Sequence, residues 1–379
     1  LRKVLVIPSW YPPDGGQFFQ DHAEALAGAG FQVDVLVNRI IGLTKLKFSE
    51  LSTMKRFHAS DVNGTRVIRS FYLKWPRLEL LNILRWADKT EKLFRKYQKA
   101  YSAPDIILAH SSIWAGYAAS IISSRHGIPY LVIEHRSRFT GMTARAEELV
   151  RNHYYPLLKK TFGGASRIIA VSDALHGTLR HFTPADREIM TIPNLVDMGF
   201  FNPPATRKRD PFVILSIGRL EHEKGMDLLI KAFGRLINDI PEASLKIVGK
   251  GPLDSNLRKM ASQVKGADKI QILGKLKPVP LLRKLQQAFG VVLIEAMSTG
   301  LPVLATRSGG PETFVTELTG RLVDNDSVDA VYDGLKYVYD HYGDYKCTRI
   351  RAYVKRHFSR EAVMEKYTSL IREACNDKG

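Results

Sequence analysis

The strongest constraint on what this chain can fold into is a rhythm that plays twice. In the first half, KVLVIPSW, FQVDVLVN, PDIILAH, IPYLVIEH, ASRIIAVSD and EIMTIPN are short apolar runs that read as buried strands. Amphipathic runs separate them: GQFFQDHAEALAGAG, ending at Gly28 and Gly30, then SSIWAGYAASIISSRHG and ALHGTLRHF. Buried strands joined by helices form parallel sheets out of βαβ units. The segment 200–211, FFNPPATRKRDP, is rich in proline and charge and reads as an interdomain linker. The rhythm then restarts, with FVILSIGRL, ASLKIVGKG, DKIQILGKL and LPVLATRSGG as strands. MDLLIKAFGRLIND, LDSNLRKMASQVK, PVPLLRKLQQ and FGVVLIEAMSTG read as its helices, the last ended by Gly300. At 379 residues there is material for two ordinary cores. The expected fold class is therefore α/β: two tandem doubly wound parallel-sheet domains, 1–200 and 211–355, with 356–379 a helix packing back toward the first. Ligands of such sheets lie at the carboxyl ends of strands, at a topological switch point. With two domains facing each other, the cleft between them is the expected site.

The rhythm breaks once. The helix LLRKLQQ runs straight into the helix AFGVVLIEAM. Parallel strands need strand–helix–strand order, so two consecutive helices leave one sheet position unfilled.

Composition narrows the chemistry. Net charge is +18, which suits anionic lipid, nucleic acid or phosphorylated substrates. No zinc-finger or RNA-binding aromatic signature accompanies it, so nucleic acid is not an expected partner. From Arg85 to Lys99, RWADKTEKLFRKYQK holds six basic and two acidic residues. Trp86, Leu93, Phe94 and Tyr97 fall at helical spacing within it. Two readings stand: a helix lying on an anionic membrane, or a solvated basic face whose apolar side enters the core. No apolar run reaches the roughly 18 residues of a membrane span, and the opening LRKVLVIPSW reads as a first strand rather than a signal peptide. Cys347 and Cys375 have no metal-ligand spacing and suit a reducing cytosol. The expected location is cytoplasmic, with a peripheral position on the inner membrane face if the helix docks there.

Several residues could carry chemistry. Arg219 and Lys224 in GRLEHEKG follow a strand and can converge on one anion, Arg with two donors and Lys as a point charge. Salt bridges with Glu221 and Glu223 are the competing account. Gly15 and Gly16 precede a helix in PPDGGQFF, and Gly249 and Gly251 follow a strand in VGKGP. Glycines there let backbone N–H groups approach a phosphate, or form ordinary turns. Glu295 sits among apolar neighbours in GVVLIEAM and needs a polar partner such as ligand hydroxyls. Asp324 and Asp326 form a D-x-D better explained by helix capping than by a metal. His110 and His135 end strands of the first half, where a sugar hydroxyl or phosphate could be bound. No hydrolytic triad or H-E-x-x-H zinc motif appears.

SIGRLEHEKGMDLLIKAF, IVGKGPL, FGVVLIEAMSTGLPVLATRSGGPE and TGRLV occur in an order that resembles the family-4 retaining glycosyltransferases of GT-B fold. IPSWYPPDGGQFF and IPNLVD also fit, so the likeness covers nearly the whole chain. The resemblance implies a nucleoside-diphosphate sugar donor, UDP- or GDP-linked, a glycan or lipid-linked acceptor, and no cofactor or bound metal. It implies that Arg219 and Lys224 hold the donor diphosphate, that Gly16 faces the same phosphates, and that Gly290 and Val291 offer them backbone N–H groups. Gly15, Gly218, Gly249, Gly251 and Phe289 join this donor set. Glu295 corresponds to the second Glu of the family's Glu-x7-Glu motif, on the ribose, His135 to a His near the transferred sugar, and His110 to the acceptor side. The first Glu of that motif is replaced by Gln287, and the apolar strand expected upstream is absent. Either this sequence joins residues across an omitted loop and strand, or the strand is deleted. The first is the better account, because losing a central strand opens two sheet edges and exposes core. A milder shortening falls near GKLKPVP.

The expected function is transfer of a sugar in envelope or exopolysaccharide synthesis. The alternatives are a non-catalytic nucleotide-sugar-binding relative, motivated by Gln287, and a sugar-nucleotide isomerase or phosphorylase on the same fold.

Overall fold

In a computed structural model of the chain, the residues described are 1–42, 57–136, 139, 149, 153–203, 212–274 and 291–376. They form two compact units. The first comprises Leu1–Leu195 with Glu361–Gly379, the second Val196–Arg360.

The first unit is built on an eight-stranded sheet of order β3-β4-β2-β1-β5-β6-β7-β8. Its strands are β1 (Lys3–Pro8), β2 (Gln32–Gly42), β3 (His58–Val62), β4 (Thr65–Lys74), β5 (Ile106–His110), β6 (Tyr130–Glu134), β7 (Arg167–Ala170) and β8 (Ile189–Thr191). All pairs are parallel except the β3–β4 hairpin. Asn63 and Gly64 turn that hairpin with positive φ at both positions, the geometry an Asn-Gly pair supplies. β1, β5 and β6 are buried along their whole length, which explains why they read as unbroken apolar runs. The helices are α1 (Gln17–Gly28), α2 (Glu79–Tyr101), α3 (Tyr117–His126), α4 (Tyr154–Gly163) and the short α5 (His176–Arg180). From β1 the chain moves outward through β2 to β4, then returns to place β5 on the other side of β1. The loops after β1 and β5 therefore diverge, and this is the unit's topological switch point.

The structure decides between the two readings of the basic helix. Trp86, Leu93, Phe94 and Tyr97 all lie in the core, so the apolar side of α2 is spent on the fold. Its buried Glu91 accepts from Arg95 at 2.8 Å and pairs with Arg125 and His126 at 3.1 Å.

In the second unit the strands are β9 (Val213–Ile217), β10 (Ser244–Val248), β11 (Ile270–Ile272), β12 (Val303–Thr306) and β13 (Gly320–Val323). The helices are α6 (Met226–Leu236), α7 (Asp254–Ala261), α8 (Val291–Ser298), α9 (Val328–Asp340) and α10 (Cys347–Phe358). Described pairing stops at two pieces: β11-β10-β9, and β12-β13. Among the described residues no strand bridges β9 and β12. Val213 and Leu215 on β9 are 42% and 56% exposed, unlike the covered central strand of a doubly wound sheet. The seam around Gln287, the helix expected at PVPLLRKLQQ and most of GKLKPVP lie outside the described residues.

The unit boundary falls at Leu195/Val196, ahead of the proline-rich segment. Val196 and Phe201 pack with Ile294, Met297, Phe314, Ile350, Val354 and Phe358 in one of the second unit's apolar clusters. Arg351 fastens this region by donating to the carbonyls of Phe201 and Ser298 and to Asn202. The capping role expected of Asp324 and Asp326 belongs instead to Ser327, whose hydroxyl accepts from Ala330 N at 3.1 Å. Asp326 occupies the preceding turn with φ 59°, and Asp324 faces Arg307 at 3.6 Å.

The last helix, α11 (Arg360–Asn376), buries Val363, Met364, Tyr367, Leu370, Ile371 and Ala374. It belongs to the first unit through Tyr367 against His22 and Asn376 bonded to Arg2 at 2.6 Å.

Candidate functional site

At the switch point of the first unit, the ends of β1, β5 and β6 are knitted together by polar groups. Ser9, just past β1, donates its N–H and hydroxyl to the carbonyl of His110 at 3.2 and 3.0 Å. Its hydroxyl also accepts from Ala115 N at 3.1 Å. The chain leaves β5 through Ser111, a buried non-glycine residue at φ 75°. Holding that conformation costs on the order of 1–3 kcal/mol, a cost that clusters at functional sites.

Glu134, the last residue of β6, is fully buried and accepts four hydrogen bonds. One oxygen takes Ser112 N at 2.8 Å and the Ser112 hydroxyl at 2.5 Å. The other takes the N–H groups of His135 and Arg136 at 2.8 and 2.9 Å. The carboxylate thus compensates its own burial while fixing the loops after β5 and β6. The sequence reading passed over Glu134, because one carboxylate at the end of LVIEH carries no spacing signal.

His110 and His135 do meet, and a third imidazole joins them. His22 Nδ1 lies 3.1 Å from His110 Nε2, and His110 Nδ1 lies 3.0 Å from His135 Nε2. All three are buried, at 6%, 1% and 7% exposure. Phe18 and Phe19 pack on His135, and Phe19 also packs on His110. Burial holds His22 and His135 down to about 3 and His110 well below its ordinary range, so the three rings are neutral. The Asn194 side chain opposes the shift at His135. His22 sits on α1 and was not singled out in the sequence.

Gly15 and Gly16 precede α1 at φ 109° and 75°, and Gly16 is its N-cap. A Cβ on Gly16 would lie 2.8 Å from the Trp10 carbonyl and 2.9 Å from the Phe19 ring. Glycine is therefore required both by backbone conformation and by packing. Beside this turn a cavity of about 500 Å³ opens at the carboxyl-terminal halves of β1, β2 and β4. Trp10, Tyr11, Asp14, Arg39, Arg69 and Phe71 line it, among others. A cavity of about 290 Å³ lies instead by Gln32 and Arg66 at the strands' amino ends, away from the expected chemistry.

In the second unit the loop after β9 carries Gly218, Arg219 and Lys224. Arg219 is exposed and bonded to Glu221 at 2.6 Å, the competing salt bridge realised. Lys224 lies in the short helical turn His222–Lys224, which Gly225 ends with φ 59°. It makes no ion pair among the described residues. The loop is held by close backbone contact with the loop after β10. A Cβ on Gly249 would sit 1.8 Å from the Gly218 carbonyl oxygen, and one on Gly251 2.3 Å from that of Leu220. Gly249 and Gly251 thus have a packing reason of their own. Val291 opens α8, and Glu295, one turn on, is buried. Gln287, Phe289 and Gly290 lie outside the described residues. Among the described residues no group of three His, Cys, Asp or Glu could hold a metal.

The comparisons agree with this architecture. Residues 15–200 match the model of Glycosyltransferase Family 4, and residues 200–357 that of Glycosyl transferases group 1. A GDP-mannose-dependent monoacylated alpha-(1-6)-phosphatidylinositol monomannoside mannosyltransferase of Corynebacterium glutamicum is 26% identical over 86% of each chain. A putative teichuronic acid biosynthesis glycosyltransferase of Bacillus subtilis is 26% identical over 88% of each. Sucrose-phosphate synthase from Thermosynechococcus elongatus superposes with a TM-score of 0.75 at 20% identity, over 98% of this chain and 99% of that one. The Anabaena protein HepE, in complex with UDP and glucose, superposes at 0.68 and 15%, over 98% and 100%. With both halves of the chain matched and the doubly wound fold shared throughout, this protein is a glycosyltransferase of family 4, with the GT-B fold.

Proposed function

We propose that the chain moves a sugar from a nucleoside-diphosphate donor to a glycan or lipid-linked acceptor, with retention of configuration and without a bound metal. The observation that carries this reading is the loop after β9. Glycine-dependent packing fixes it, and it presents Arg219 and Lys224 at the carboxyl edge of the sheet. Two cations there neutralise a leaving diphosphate, the task a metal performs elsewhere. Glu295 and the first turn of α8 serve the ribose and diphosphate, and Gly15 and Gly16 serve the phosphates from the first unit. His135 lies by the transferred sugar, and His110, buried with both ring nitrogens facing His22 and His135, supports it from behind rather than meeting the acceptor. The mannosyltransferase relative has a phosphatidylinositol-based acceptor by name, and the cavity beside Trp10 and Arg69 suits an acceptor of that amphiphilic kind.

The test is donor-dependent transfer with a panel of UDP- and GDP-sugars, in buffer containing a chelator. Arg219→Ala and Lys224→Ala are each expected to lower kcat by roughly a hundredfold or more, the usual cost of one such donor. Undiminished transfer in both variants refutes the assignment.

The exposure of Val213 and Leu215 on β9 and the presence of Gln287 favour a second reading, a relative that binds nucleotide sugar without turning it over. Calorimetric donor binding with no transfer across a broad acceptor panel would establish it.

A further inference from the structure

We propose that His22 is a positioning residue for His135, the two coupled through His110 so that their protons shift only together. This rests on the reading of His135 as a group beside the transferred sugar.

The coupling follows from counting protons. A neutral imidazole has one N–H and one bare nitrogen. In a row joined by the 3.1 and 3.0 Å contacts, every ring must donate in the same direction. If His22 donates from Nδ1, then His110 donates from Nδ1 to His135 Nε2, and the spare N–H is Nδ1 of His135. If the row runs the other way, the spare N–H is Nε2 of His22 and His135 shows a bare nitrogen. An intermediate arrangement places two lone pairs or two protons face to face in a buried site, where no water relieves the conflict. The tautomer of His135 is therefore decided for the row as a whole.

The two ends are not equivalent. Both outer nitrogens, His22 Nε2 and His135 Nδ1, are buried and make no hydrogen bond of acceptable geometry. At the His22 end the neighbour is the Tyr367 ring, roughly edge-to-face at 4.4 Å between centroids, and an aromatic ring is at best a weak acceptor. At the His135 end lies the partly exposed Asn194, whose side-chain amide has an oxygen that can face a ring N–H. The spare N–H belongs at His135 Nδ1, as a donor for a hydroxyl or phosphate oxygen of the substrate. A buried polar atom with no partner calls for an explanation, and a ligand atom arriving against this nitrogen supplies one. Glu134 contributes rigidity, since it fixes the backbone N–H of His135 itself.

The experiment is a two-bond proton–nitrogen correlation spectrum of the full chain carrying ¹⁵N-labelled histidine, assigned with single histidine variants. The expected wild-type result is a protonated Nδ1 and a bare Nε2 on all three rings. His22→Leu is expected to move His135 wholly or partly to the Nε2–H form. His22→Asn, whose amide N–H reaches the place of Nδ1, is expected to restore it. In transfer assays His22→Leu should lower kcat roughly tenfold, about the worth of one hydrogen bond, with donor KM little changed and with recovery in His22→Asn. A bare Nδ1 on His135 in the wild type, or spectra of His135 indifferent to His22→Leu, overturns the proposal. So does an unchanged kcat in a folded His22→Leu. Should His22→Leu not fold, the wild-type spectrum decides on its own. If no donor is transferred by the wild type, the reading of the enzyme fails, while the spectra still decide the coupling.

Discussion

At the scale of single residues, the three imidazoles make a statement about pH. His22 and His135 are held at about 3 against an ordinary 6.5, so both stay neutral, with a single ring proton, when folded. The unfolded chain takes up their protons below about pH 6.5. Stability is then fully present above that value and is lost as pH falls toward 3, at about 1.4 kcal/mol per pH unit for each such ring. Urea unfolding at pH 7.5, 6 and 5 should show a midpoint that drops with acidity, and His22→Leu should flatten that slope by about one histidine's share. A midpoint independent of pH would mean the rings are not buried as described. His110 and His135 were legible in the sequence because they end strands, and strand ends in doubly wound sheets gather at the site. His22 was not, because a histidine three residues beyond Phe19 on an amphipathic helix has the spacing of a core residue. Glu134 was hidden for a similar reason: three of its four partners are backbone N–H groups, which leave no trace in residue types.

Among elements, α2 shows how a pattern can be read correctly and still leave two placements open. The helical spacing of Trp86, Leu93, Phe94 and Tyr97 was visible in sequence, but amphipathicity does not say whether the apolar side meets a core or a lipid surface. In this fold it meets the sheet. The exposed apolar residues are Trp75, Leu78, Leu81 and Leu84, on the approach to the helix and its first turns. Lys74, Arg77 and Arg85 accompany them. Among the described residues of the first unit, this patch is the one suited to an anionic membrane. Replacing Trp75 and Leu81 by Ser should then weaken co-sedimentation with vesicles containing anionic lipid by roughly tenfold or more, since each large apolar group buried contributes about 1.5–3 kcal/mol. Wild-type protein that stays in the supernatant even at low salt would exclude it. The β3–β4 hairpin also escaped the sequence reading, although VNGT between alternating residues is the signal that would have found it.

The molecule as a whole is uneven. In the first unit eight strands pair continuously, whereas in the second the described pairing is broken between β9 and β12 and apolar Val213 and Leu215 lie exposed. The sequence showed this break as two consecutive helices, because the strand–helix alternation of a parallel sheet is strict enough for one omission to be visible. Among the described residues the inner edges of β9 and β12 have no partner strand and Val213 and Leu215 are exposed, so the second unit is expected to unfold first. Limited proteolysis on a temperature ramp is expected to cut within 212–360 several degrees below any cut within 1–195. Simultaneous loss of both units would show that the edges are covered. The α/β class follows from local pattern and was readable, whereas the register of the sheets is set by contacts between distant strands and was not. The seam was readable only as a conflict, since nothing in a sequence says what fills an empty position.

The discontinuity of the first unit also has a consequence for synthesis. Residues 1–195 leave the ribosome first, yet the helix that covers His22 comes from residues 361–376. Between them lie 165 residues (196 to 360) that belong to the other unit. At translation rates of about 5–20 residues per second, the nascent first unit waits roughly 8 to 33 seconds with the seat of Tyr367, Leu370 and Ile371 uncovered. The part of the chain that starts folding first is thus the last to finish. Throughout that interval it presents the cell with an apolar surface that residues 361–376 later cover.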